Sequence, residues 1–114
     1  MYTLNMAHQS DWGYVTVWEF HPRPGQEKAF EQAYGPDGEW VRFFKKGEGY
    51  IRTELIRDLS NSRRFLTLDY WQSRAAYNRF RAQNQAVYEA IDKRYEGLNE
   101  KESALGAFER VRGD

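Results

Sequence analysis

Hydrophobic and polar positions alternate along "GYVTVWEF" (residues 13–20), a run rich in β-branched and aromatic side chains that predicts a strand. "HPRPG" (21–25) breaks the alternation, because two prolines and a glycine make a turn. The spacing then changes to three and four in "QEKAFEQAY" (26–34), which places Ala29, Phe30, Ala33 and Tyr34 on one face of a helix. "GPDG" (35–38) interrupts that helix, and "EWVRFFKKG" resumes it with Trp40, Phe43 and Phe44. Lys45 and Lys46 ahead of Gly47 suit a helix end, where cations meet the dipole and glycine takes a left-handed cap.

The second half repeats the scheme. "YIRTELIRD" (50–58) and "RFLTLDYW" (64–71) alternate again, and the polar turn between them predicts an antiparallel hairpin. Ser73 is placed to cap a long helix over about 74–96. Its apolar stripe runs Ala76/Tyr77, Phe80, Asn84, Val87/Tyr88, Ile91, Tyr95 and Leu98. "ALGAFERV" (104–111) predicts a fourth strand. The order β-α-β-β-α-β is the ferredoxin-like arrangement, an α+β fold with a four-stranded antiparallel sheet. It occupies residues 13–111, behind a loosely held segment, 1–12. Helices on one face of such a sheet leave the other bare. Val15, Val17, Ile51, Leu55, Leu66 and Leu68 put apolar side chains on both parities, so the pattern leaves open which parity faces the helices. An apolar bare face predicts a homodimer packed through it.

Composition narrows the functions. The 114 residues make one domain, and 17 basic against 17 acidic residues give zero net charge, against a nucleic-acid footprint. There is no Cys, hence no disulfide, thiolate metal site or Cys nucleophile. No secretory pattern opens the sequence and no 18-residue apolar run occurs, so no membrane partner is expected and a cytoplasmic location is. Aromatic residues reach 17%, while the mean hydropathy is a polar −0.92. Rings of this abundance line a pocket or fill a core that is short of aliphatics.

The stretches "WEFHPRPG", "GYIRTELIRD" and "LDYWQSRAAY", in this element order, resemble the antibiotic biosynthesis monooxygenase family over roughly residues 13–110. The resemblance implies a dimeric α/β barrel with a cavity between sheet and helices. Some relatives there oxidise polycyclic phenols with dioxygen and no cofactor. Trp71 matches an aromatic residue at the end of the third strand. Other relatives degrade haem and carry an Asn in strand one, that Trp, and a His on the second helix. Here only the Trp is present, since the two histidines are His8 and His21.

Cofactor-free oxygenation needs a base and a dry aromatic cavity. Asp69 is an acid within a strand, sharing parity with Phe65, Thr67 and Trp71, and desolvation there raises its pKa toward a useful value. The competing reading pairs it with Arg52, Arg57 or Arg64, or with a backbone group. Asn84, on the helical stripe between Phe80 and Tyr88, is a second catalytic candidate that either meets a ligand or spends its amide on a backbone carbonyl or a water. Trp71, Tyr77, Trp18, Phe80, Tyr88 and Trp40 are candidate substrate-binding walls, with a core role as the alternative. Glu19 and Glu54, in strands, are read as structural ion-pair residues that reach across the dimer interface. No His pair is spaced for a metal, no glycine-rich phosphate loop is present, and no Ser elbow occurs. The expectation is a cofactor-independent monooxygenase acting on a small phenol- or quinol-type aromatic. Its competitor is a non-catalytic barrel that binds a small apolar ligand or has a structural role.

Overall fold

The computed structural model describes residues 11–112. Strand β1 (Tyr14–Pro22) leads through a turn to helices α1 (Glu27–Tyr34) and α2 (Glu39–Phe44). Strands β2 (Tyr50–Arg57) and β3 (Phe65–Trp71) form the expected hairpin. Helices α3 (Arg74–Gln83) and α4 (Gln85–Tyr95) follow, then one 3-10 turn (Glu96–Leu98) and strand β4 (Asn99–Glu109). The sheet is antiparallel, in the order β2-β3-β1-β4. This is the ferredoxin-like order, with the first and third strands central.

Five local expectations need correction. The single broken helix expected after the first turn is two separate helices, α1 and α2, because Gly35 and Gly38 between them are extended. Strand β1 runs two residues further, through His21 and Pro22, because Pro22 sits beside a register shift opposite Asn99. Strand β4 begins five residues early, at Asn99, over a polar edge segment without alternation. The long helix is two helices, broken at Asn84, whose backbone (φ −129°, ψ 26°) is not helical. The left-handed glycine after α2 is Gly49 (φ +94°), not Gly47. Gly47 is small for another reason: a Cβ there would lie 2.6 Å from a Phe80 ring carbon and 3.0 Å from Trp71. The expected loose segment lies, for residues 1–10, outside the described residues. Trp12 packs edge-on against Tyr70, with ring centroids 5.1 Å apart.

Register settles the parity. Tyr14, Thr16, Trp18 and Phe20 stand opposite Trp71, Asp69, Thr67 and Phe65. These eight residues point toward the helices, where rings replace aliphatics as the core. Phe30 is fully buried between Phe20, Tyr34 and Phe65, at centroid distances of 5.5, 4.6 and 5.1 Å. Trp71, also fully buried, meets Tyr50, Tyr77 and Phe80 at 5.3 to 5.5 Å. Such offset and edge-on pairs add stability beyond the area they bury.

The opposite face holds most of the sheet's aliphatics, while Leu55, opposite Thr67, packs against the core. Val17, Leu66 and Leu68 are half-buried, while Ile56 and Phe108 stay 46% and 51% exposed. Charged clusters border this apolar patch. Arg64 bridges Glu19 and Asp58 at 3.0 and 3.1 Å, and His21 meets Glu19 at 2.6 Å. Arg52 lies 4.1 Å from the Tyr70 ring centroid and contacts Glu54. Glu19 and Glu54 thus pair within their own chain, with Arg64 and Arg52.

A candidate active site in an aromatic cavity

Between sheet and helices lies a cavity of about 50 Å³. That is room for roughly three or four waters, on the order of one small ring. The sheet supplies its floor: Thr16, Trp18 and Phe20 from β1, Thr53 from β2, Thr67 and Asp69 from β3, and Glu102 from β4. The helices supply Tyr34, Trp40, Phe44, Tyr77, Tyr88 and Asp92. Strand alternation puts Thr16, Trp18 and Phe20 on the same side, and the β2 bulge next to Tyr50 brings Thr53 into line with Asp69.

Asp69 is the chemical centre of this floor. It is 8% exposed, and burial raises its carboxyl from 3.8 to about 6. Hydroxyls limit the rise: Thr53 donates to Oδ1 at 2.6 Å, and Thr16 stands directly opposite on β1. Since the Thr53 hydrogen is spent on Asp69, the Tyr50 hydroxyl, 2.7 Å from Thr53 Oγ1, acts as the donor in that contact. A relay thus runs from Tyr50 through Thr53 to the carboxylate. No arginine takes the role that Arg52, Arg57 or Arg64 was given as an alternative. Arg52 pairs with Glu54, Arg64 pairs with Glu19 and Asp58, and Arg57 lies over Phe65. A carboxyl held near 6 by desolvation, without a cationic partner, can take a proton at neutral pH and give it back.

Tyr34 and Tyr88 on the helix side remain acids. Burial pushes Tyr88 up to about 12 and raises Tyr34 further. Tyr77 accepts a hydrogen bond from Arg81 at 2.9 Å, leaving its own hydroxyl hydrogen for another acceptor. The Arg81 guanidinium also lies 3.6 Å from the Tyr88 ring centroid.

Of the sequence-derived candidates, Asp69, Trp18, Trp40, Tyr77 and Tyr88 meet in one cavity. Trp71 and Phe80 stand behind the lining, packed on each other and on Phe44. Asn84 is directed elsewhere: its side-chain amide donates to the Phe80 carbonyl at 2.9 Å, which the helix break leaves without its usual partner. The geometry thus realises the backbone-carbonyl alternative for Asn84. Thr16, Thr53, Thr67, Tyr34, Asp92 and Glu102 were not anticipated. Thr67 shares strand parity with Asp69, which was a usable signal, whereas the others enter through cross-strand register and helix placement.

Haem does not fit this site. The cavity is far smaller than a macrocycle, its lining has no His among the described residues, and His21 is engaged with Glu19 on the opposite face of the sheet. Among the described residues, no group of three His, Cys, Asp or Glu could hold a metal ion.

Comparison with solved structures gives the same architecture at low sequence identity. SnoaB, a cofactor-independent oxygenase from Streptomyces nogalater, is 20% identical, with a TM-score of 0.59 over 90% of this chain and 96% of its own. A putative antibiotic biosynthesis monooxygenase from Deinococcus radiodurans is 17% identical, with a TM-score of 0.68 over 89% and 95%. The haem degrader MhuD from Mycobacterium tuberculosis is 18% identical, with a TM-score of 0.64 over 89% and 98%. No curated protein matches in sequence. The family description "Antibiotic biosynthesis monooxygenase" matches residues 13–91, well over half of the sequence. The chain belongs to the antibiotic biosynthesis monooxygenase family.

Proposed function

We propose that this protein is a cofactor-independent monooxygenase for a small, single-ring phenol or quinol. The observation that carries the reading is Asp69, a carboxyl held near 6 at the floor of a ring-walled cavity, with no cationic partner among the described residues. Ionised Asp69 takes the proton of the bound hydroxyl, and the resulting electron-rich ring carbon reacts with dioxygen. The carboxylic acid protonates the peroxide that forms. Asp69 next removes the hydrogen on the same carbon as the O–O bond breaks, and returns it to the departing hydroxide. A phenol and dioxygen become a quinone and water, with four electrons moved from the ring to dioxygen. The rings exclude water from the intermediate, and the 50 Å³ volume supports a single ring over a polycyclic substrate.

The apolar outer sheet face supports a second part of the proposal, a homodimer paired through that face. Val17, Leu66, Leu68, Ile56 and Phe108 form a patch of the kind that marks an interaction site.

The test is oxygen consumption across a panel of monocyclic phenols and quinols. Turnover by the native protein, and its loss in Asp69→Asn with the circular dichroism spectrum unchanged, is the expected result. Full turnover in Asp69→Asn removes the base assignment. Ligand binding without oxygen uptake across the panel leaves a non-catalytic binding barrel.

A further inference from the structure

The rings of the cavity continue through its wall toward the surface. Trp40 and Tyr34 both line the cavity and are 8% and 5% exposed. Their ring centroids are 6.4 Å apart, and Tyr34 lies 6.2 Å from Tyr95. The second cavity indole, Trp18, reaches Tyr34 across Phe20, at 6.2 and 4.6 Å. Both cavity indoles thus converge on Tyr34. Tyr95 stands half-buried in a groove on the outside of the helices, beside Glu39 and Arg94. Indole and phenol rings give up an electron more easily than aliphatic side chains, so rings in contact let an electron travel in short steps.

The outer end of this run differs from the other phenols in the fate of its proton. An oxidised phenol is a strong acid, and the radical persists only where a positioned base takes the proton as the electron leaves. Tyr95 donates to Glu39 Oε1 at 2.6 Å. Arg94 binds the other carboxylate oxygen, and these two contacts, that of Arg94 the larger, hold Glu39 below its ordinary value and ionised. The bond to Glu39 also raises Tyr95, so at rest the proton stays on the phenol. Tyr34 has no carboxylate on its hydroxyl, and Tyr77 accepts from the cation Arg81. Tyr50 reaches Asp69 only through Thr53. Tyr70 donates to Glu54 at 3.2 Å, but on the outer sheet face, where its ring meets Trp12. Among the described residues, Tyr95 alone joins a direct carboxylate acceptor to a ring path from the cavity.

We propose that Tyr95 is a redox site: it supplies an electron through Tyr34 to an oxidised Trp40 or Trp18 and passes its phenolic proton to Glu39. An indole radical cation, a phenol and a carboxylate become a neutral indole, a phenoxyl radical and a carboxylic acid, so one electron and one proton move and charge balances. The oxidant that first takes the indole electron is a peroxyl-type radical formed where dioxygen meets an electron-rich ring; with a proton it leaves as the hydroperoxide. That source of oxidant rests on the oxygenase reading given above, whereas the path does not. The transfer moves a damaging radical away from the cavity walls to a surface phenol. There a small reductant of the ascorbate class returns the electron, and Glu39 returns the proton.

Azide radicals from pulse radiolysis oxidise indoles ahead of phenols and require no substrate, so they probe the path alone. The Trp12→Phe protein removes the indole beside Tyr70. In it, indolyl absorption is expected to decay into phenoxyl absorption at a rate independent of protein concentration. Adding Tyr95→Phe, which removes a single hydroxyl, should slow that transfer at least tenfold. Adding Glu39→Gln instead, which keeps the ring and its hydroxyl, should slow it to a similar extent, with the circular dichroism spectrum unchanged in both. Absence of intramolecular transfer, a transfer that survives Tyr95→Phe, or a rate untouched by Glu39→Gln overturns the redox site and leaves the oxygenase reading to its own test by oxygen uptake. Transfer as expected in a protein that consumes no oxygen with any phenol keeps the site and removes only the proposed source of its oxidant.

Discussion

Asp69 holds its proton more tightly in the folded chain than in the unfolded one, since burial lifts it from 3.8 to about 6. Between those values the native state binds more protons than the unfolded state, so its contribution to stability falls as pH rises from about 4 to about 6 and is flat above. The full swing is on the order of 3 kcal/mol. Urea unfolding at pH 4 and pH 7 should show it, and Asp69→Asn should lack this part of the pH dependence. The proposed activity runs the other way: a base must be ionised, so turnover is expected to rise through about pH 6. Thr53→Val removes a donor that stabilises the carboxylate, so the midpoint of the pH–rate profile should move upward. An unmoved midpoint would show that Thr53 does not tune the acid. Asp69 was visible in sequence because it shares strand parity with Trp71. Its partners Thr16 and Thr53 were not, because register between distant strands is set by packing and by a bulge that leaves no local mark.

At the scale of elements, the break at Asn84 shows how a periodic pattern hides an interruption. The stripe from Ala76 to Leu98 keeps three–four spacing across the break, so periodicity alone predicts one helix. Asn84 competes with the backbone through its side chain, as Asn readily does, and takes the Phe80 carbonyl for itself. The N-terminus of α3 was legible for the opposite reason, since Ser73 accepts from the Ala76 amide at 3.1 Å, a purely local signal. Strand β4 was misjudged at its start because its first residues, Asn99 to Ser103, alternate with nothing apolar. The short α2–β2 connection carries a sharper requirement. Gly47→Ala would drive a methyl into Phe80 and Trp71, at a cost of about 1–3 kcal/mol for overpacking. Thermal denaturation should register that as a drop of several degrees, and an unchanged midpoint would mean that the two rings yield freely.

For the whole molecule, the sheet divides by parity: the Asp69 cavity lies toward the helices and most of the aliphatics lie toward the outside. The element order, the antiparallel sheet and the bare second face were all accessible from patterning, but the side on which each parity falls was not, since both carry apolar residues. The proposed homodimer makes a direct demand. Light scattering at low micromolar concentration should give twice the 13.6 kDa chain mass. Leu66→Lys with Leu68→Glu should return it to one chain mass with the circular dichroism spectrum retained, and a native protein already at one chain mass would refute pairing through this face. The division by parity has a stricter corollary. A strand displaced by one residue exchanges its two faces. If β3 slipped in this way, Leu68 would enter the cavity and Asp69 would join the aliphatic patch. The proposed chemistry and the proposed self-association thus depend on a single alignment, so a misthreaded chain forfeits both together and offers neither a half-built catalyst nor a half-built interface.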